Sequence, residues 1–246
     1  MEQLERAFGK VPGMTPADAG IVCKGALGIL ARNFEAGQAA ALQAGLAAEG
    51  VQTEVVEESR MPVLPPGFVA RRSECMTEGL AIYDAINRRI TVPWVEVVLI
   101  AAGRVRHATF ERSHPERDPV RVRHIHLAHS IMIPFVQRDI QMQNNARESA
   151  EWVWRGEIVL AGGVKRFSLE AENFNFAGLG QRKTRDVTHD FCLLIRDLAK
   201  FASHAALNRG ATSLLAEPPE IATYPGKRFL EDEMTWMLWW AARQKS

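Results

Sequence analysis

The spacing of apolar side chains changes character along the chain, and each change predicts a different element. Residues 35–49 are alanine-rich with Leu42 and Leu46 one turn apart, which predicts a helix. Before it, Thr15-Pro16-Ala17-Asp18 supplies a hydroxyl cap, a proline suited to the first helical position and an acid in the first turn, predicting a short helix that ends at Gly25. Residues 26–31 and 51–56 read as short strands on either side of the alanine-rich helix. Two strands joined by a helix of this length pair in parallel with a right-handed crossover. The order helix, strand, helix, strand therefore predicts a small α/β module over residues 1–60. Residues 61–67 hold Pro62, Pro65, Pro66 and Gly67, the composition of a stiff, extended connector, so the domain boundary falls there.

Beyond the connector the period becomes two. Leu80 and Ile82 share a face before a turn at residues 84–88, and Ile90 and Val92 share one after it, which predicts a hairpin. A second hairpin turns at Gly162-Gly163, a pair able to adopt the positive φ of a type I′ turn. If Ala161 faces Val164, then Ile158 opposes Phe167 and Trp154 opposes Ala171, placing all four on one face. Strands are expected near residues 68–76, 80–84, 89–94, 95–101, 104–110, 151–161 and 164–173. A helix over 188–208 follows, striped by Phe191, Leu194, Ile195, Leu198, Phe201 and Ala205 and closed by Gly210. The last helix, residues 229–243, is apolar on more than one face, with Trp236, Trp239 and Trp240 beside Leu230, Met234, Met237 and Leu238. It must pack on two surfaces, and the tryptophans mark either an internal clasp or an interaction surface with a second molecule.

Two resemblances follow from these residues. Gly28-Ile29-Leu30-Ala31-Arg32-Asn33-Phe34, then Ala40 and Leu42, then Ala47-Ala48-Glu49-Gly50-Val51-Gln52-Thr53-Glu54-Val55, resembles the carboxy-terminal domain of the ribosomal stalk protein over residues 15–58. The resemblance implies recruitment of a partner and not catalysis. Seven strands and a terminal helix, with Arg89-Ile90-Thr91-Val92-Pro93-Trp94-Val95-Glu96-Val97 similar to an Ile-Pro-Trp-x-x-Ile stretch of bacterial members, resemble the pleckstrin-homology superfamily over residues 68–208. That resemblance implies a mostly antiparallel barrel or bent sheet capped by a helix. A stretch of about 111–150 between the fifth and sixth strands is then an insertion. The predicted class is α+β, with a module at 1–60, a connector at 61–67, a β domain at 68–210 and a tryptophan-rich clasp at 211–246.

Composition narrows the function classes. The chain has 246 residues, 47% apolar, and a formal charge of +1, so nothing at chain level attracts nucleic acid or acidic lipid. Cys23, Cys75 and Cys192 are odd in number and widely spaced, which argues against a disulfide framework or a cysteine zinc site. The acidic start at Glu2 and Glu5 is unlike a secretory signal, and the strongest apolar runs fall short of the roughly 20 residues that cross a bilayer. A cytoplasmic protein without a transmembrane segment is expected.

Charge is nevertheless concentrated locally. His107, His114, His124, His126 and His129 fall in one stretch with Arg104, Arg106, Arg112, Arg117, Arg121 and Arg123. In a strand, His124 and His126 share a face, where two imidazoles can bind zinc, with His129 a third ligand if the chain turns. Arg121 and Arg123 could instead pair with phosphate on a lipid headgroup or RNA. The reading preferred for both is a solvated cluster, since no carboxylate stands at metal spacing and no aromatic interleaving would stack bases. Gly178 and Gly180 lack the third glycine of a dinucleotide loop, and Arg182 stands where a Walker loop needs glycine. His189-Asp190 resembles the dyad of helical phosphohydrolases without its further ligands, so Asp190 is expected to complement a helix dipole. Glu231-Asp232-Glu233 is expected to do the same at the last helix. The expected function is a non-catalytic interaction or scaffolding protein with a protein partner or a second copy, no cofactor and no nucleic acid. The alternatives are a metal-dependent enzyme using His124, His126 and His129, and an anionic-ligand binder using Arg121 and Arg123.

Overall fold

A computed structural model describes residues 2–9, 28–110 and 148–244, with Thr15, Ala17, Gly20 and Cys23 between the first two stretches. Residues 1–107 and 152–246 form one compact unit, and residues 108–151 form another, whose described part is the ends of two strands.

The apolar run Leu80–Tyr83 and the alternation of Ile90 and Val92 with polar neighbours yield strands β3 (Gly79–Tyr83) and β4 (Arg89–Pro93), which pair antiparallel with Leu80 opposite Val92 and Ile82 opposite Ile90, as the shared faces require. Strand β2 (Arg72–Cys75) adds on the other side of β3 and completes a three-stranded sheet. The remaining strands form a second, mixed sheet. They are β1 (Gly67–Val69), β5 (Val97–Phe110), β6 (Glu148–Leu160), β7 (Arg166–Glu170), β8 (Ala206–Leu207) and β9 (Thr223–Tyr224), in the order β1-β7-β6-β5-β8 with β9 also on β5. The hairpin of β6 and β7 has the expected register, Ile158 opposite Phe167, and its Gly162 and Gly163 both carry positive φ. Trp154, Ile158, Phe167 and Ala171 lie in one buried cluster.

Three strand expectations need correction. The strand expected over 68–76 is two strands in different sheets. The break is at Ala70, whose N–H donates to Ser168 while that of Arg71 donates to Tyr83. The strands expected at 95–101 and 104–110 are one, β5. Gly103 does not break it but makes room for the Tyr224 ring, which lies where a Cβ would sit. Ala171 begins a tight turn instead of continuing β7.

Helix α1 (Glu2–Phe8) and helix α2 (Ala36–Ala48) pack through Phe8, Leu42 and Leu46, and α2 opens with a reciprocal box between Glu35 and Gln38. The strands expected beside α2 do not form among the described residues. Ile29 makes a lone bridge, and residues 51–57 are extended without a ladder, the Thr53 carbonyl accepting from the Gln43 side chain instead of from a strand. Among the described residues, the predicted α/β layer is replaced by helices α1 and α2 with extended chain, and most of the short helix expected to end at Gly25 lies outside them.

Helix α3 (Val187–Phe201) is capped by Asp186, which accepts from the N–H groups of Thr188 and His189. It ends seven residues earlier than expected, because Asn208 is not helix interior. Asn208 caps the following helix α4 (Arg209–Leu215), whose first turn contains Gly210. Helix α5 (Lys227–Arg243) closes the chain. The mixed sheet is covered on both faces. Phe191, Leu194, Ile195 and Leu198 of α3 join Ile100, Ile158, Phe167 and Leu169 on one face, with Leu80, Ile82 and Val92 of the small sheet. Leu230 and Met234 of α5 join Leu99, Ala101, Val105 and Val159 on the other. Helices with mixed and antiparallel sheets make the class α+β. The path from β1 to β8 is open, and no closed barrel is present among the described residues.

Candidate interaction surface on the last helix

Helix α5 is held from two sides within the chain. Towards the sheet, Leu230 and Met234 are fully buried and Glu233 goes in with them. Glu233 is accommodated because its carboxylate is filled: Tyr224 Oη donates at 2.5 Å, the Arg209 N–H at 2.9 Å and Asn208 Nδ2 at 3.3 Å. Asn208 is the hub. Its Oδ1 accepts from the N–H groups of Ala102 and Ala211, and its Nδ2 reaches the Ala102 carbonyl and Tyr224 Oη. One side chain thereby ties β5, β9, α4 and α5 together. Burial, reinforced by the Glu233 carboxylate, pushes the Tyr224 phenol upward, so it remains a donor.

Towards the amino-terminal half, Trp236 packs against Gly28, where no side chain would fit. Arg32 Nε donates to Asp232 Oδ1 at 2.6 Å, and Arg243 Nη1 to Glu54 Oε2 at 2.6 Å. The tryptophans form a short stack: Trp236 and Trp240 have ring centroids 6.3 Å apart at 23°, and Trp239 tilts onto Trp240 at 6.4 Å. The Arg243 guanidinium lies 4.7 Å over the Trp239 ring. Trp236 and Trp239 are half-buried, whereas Trp240 is 48% exposed. This leaves an aromatic surface, backed by other rings and edged by a cation.

The acids at 231–233 are not a capping run, because α5 starts at Lys227 and places them beyond the first residues of the helix. Each has its own partner: Glu231 binds Arg166 Nη1 at 2.9 Å, Asp232 binds Arg32, and Glu233 is the buried anchor. Asp190, expected to face the helix dipole, lies in the first turn of α3 and is buried, its Oδ1 accepting from the Thr184 N–H and hydroxyl at 2.7 and 2.9 Å. Gly178 and Gly180 fall within a tight turn over Phe176–Arg182, and Arg182 pairs with Asp197.

Two buried polar groups escaped sequence reading. Glu157 has no exposed side-chain surface. It accepts from Ser168 Oγ at 2.5 Å and lies 3.6 Å from Arg166 Nε and 3.5 Å from Arg155 Nη1. Burial pushes its carboxyl up, against the opposing pull of the Ser168 hydroxyl and then of Arg166 and Arg155. The signal was available: the register that sets Ile158 opposite Phe167 sets Glu157 opposite Ser168. Asn208 and Glu233 had no such signal, since their partners lie on unrelated segments.

The three cysteines are free thiols, and burial pushes the Cys75 thiol up to about 12, away from nucleophilic chemistry near neutrality. His124, His126, His129, Arg121 and Arg123 lie outside the described residues. Among the described residues, no group of three His, Cys, Asp or Glu side chains is placed to hold a metal, and no helix is long and apolar enough to cross a membrane. Comparison with protein-family models, with curated proteins and with solved structures finds no match.

Proposed function

We propose that the chain is a non-catalytic interaction or scaffolding protein of the cytoplasm whose protein partner docks on the aromatic surface of α5. One observation carries the reading: Trp240, 48% exposed, rests on Trp236 and Trp239 in a helix already anchored by its other face. Tryptophan beside arginine is the composition enriched where protein surfaces contribute most binding energy, because a rigid ring buries a large area at little entropic cost. The likeness of residues 68–208 to the pleckstrin-homology superfamily belongs to this reading as a scaffold. It is supported by the two hairpins and by helix α3 laid over the sheet.

A photo-crosslinking residue placed at Trp240 in the producing cell tests the proposal, with the same group at Ile86, which is 71% exposed, as the control. A discrete product from position 240 that is lost with Trp239→Ala is expected, its mass telling a second copy from a different protein. No discrete product, or equal products from both positions, overturns the reading. Elemental analysis of untagged protein is the companion measurement. Stoichiometric zinc lost on replacing His124 and His126 by Ala would replace the scaffold with a metal-dependent enzyme.

A further inference from the structure

Arg166, 3.6 Å from the buried Glu157, also lines a cleft of about 300 Å³, at the small end of the range for ligand sites. It is lined by residues 61–64 of the connector and by Arg32, Arg166 and Arg228 with Glu58, Glu231 and Asp232. Three guanidiniums stand beside three carboxylates, so an occupant of one charge sign would meet repulsion as well as attraction. An occupant carrying both signs can match both.

The groups divide into those that hold the cleft and those left for a ligand. Arg32 donates from Nε to Asp232 and from Nη1 to Glu58 at 2.7 Å, and Arg166, itself buried, donates to Glu231. These pairs fix the walls. Arg228 Nε lies 3.7 Å from Asp232 Oδ2, beyond hydrogen-bond reach, and its side chain is 66% exposed. Its planar fork is thus open to donate bidentately to a carboxylate. Glu58, 64% exposed, spends Oε1 on Arg32, which leaves Oε2 for an ammonium group. Met61, Pro62 and Leu64 add apolar surface to the same cleft.

We infer that this cleft binds a small zwitterion of the amino-acid class, its carboxylate on Arg228, its ammonium on Glu58 and an apolar side chain along residues 61–64. A free amino acid and a short peptide share this chemistry, and the test separates them. Isothermal titration of the full-length protein uses L-leucine and glycyl-leucine as the two sources, with N-acetyl-leucine as the single anion and leucinamide as the single cation. Saturable binding of leucine, glycyl-leucine or both is expected, with each single-charge analogue weaker by about tenfold or more. Arg228→Ala and Glu58→Gln, the second keeping an oxygen for Arg32, should each weaken binding by about tenfold at unchanged melting temperature. Absence of saturable binding for both zwitterions overturns the inference. So does equal binding of either analogue, or full affinity in Arg228→Ala.

Discussion

The two faces of the mixed sheet are covered by helices of opposite character. On the α3 face the cover is almost wholly apolar, a continuous cluster from Leu80 and Val92 through Ile158 and Phe167 to Phe191 and Leu198. On the α5 face the apolar cluster is small, and beside it run Glu157-Ser168, Arg166-Glu231 and the Asn208-Tyr224-Glu233 hub. Apolar burial is non-directional and tolerates shape change in proportion to volume lost. A buried polar hub is directional, and removing one member strands the others. The first face should therefore respond to mutation by global loss of stability, the second by local release of α5.

Substitutions on each face turn that contrast into expected numbers. Phe191→Ala, at a fully buried ring 5.4 Å from Trp154, should cost about 3–5 kcal/mol in denaturant unfolding, lowering the whole transition. Asn208→Ala should cost about 2–4 kcal/mol, because the N–H groups of Ala102 and Ala211, Tyr224 Oη and the Glu233 carboxylate lose their common partner. Its signature should be a changed tryptophan emission from α5 before global unfolding.

Glu157 gives a pH test of the same contrast. Its carboxyl is raised in the fold, so the folded state binds more protons than the unfolded state as pH rises above the ordinary value of 4.5. Stability should be fullest below that value and decline through the raised folded range. Glu157→Gln should abolish that decline in unfolding measured across pH, whereas an unchanged slope would remove Glu157 as its source. The smallest effects belong to the exposed rim. Arg243→Ala breaks an exposed ion pair and should cost about 0–1 kcal/mol. Trp240→Ala should change stability by only about 0.5 kcal/mol in the same unfolding measurement.

Legibility in the sequence follows the same divide. The β6-β7 hairpin and the apolar stripe of α3 were readable because turn chemistry, alternation and helical period each depend on near neighbours. Glu157 opposite Ser168 was within reach of the same register. The helix start at Lys227 was not, since Gly226 offers no side-chain cap and two cations open the helix. Nor was the end of α3 at Phe201, because Asn208 takes its role from β5, β9 and α5, all distant in sequence. Residues 51–56 looked strand-like from their valines, yet an extended segment bound by the Gln43 side chain has the same composition. Of the site, the tryptophans were visible as a concentration within a few residues, whereas the cleft, made from Arg32, Glu58, Arg166 and Arg228, has no local signature.

Native-state hydrogen exchange of Asn208→Ala against the parent chain addresses the contrast most directly, because it reads each helix separately. A helix keyed by a polar hub predicts faster exchange along Lys227–Arg243 with Val187–Phe201 unchanged. Equal acceleration of both helices would mean that the two faces are one cooperative core and would contradict the division drawn between them.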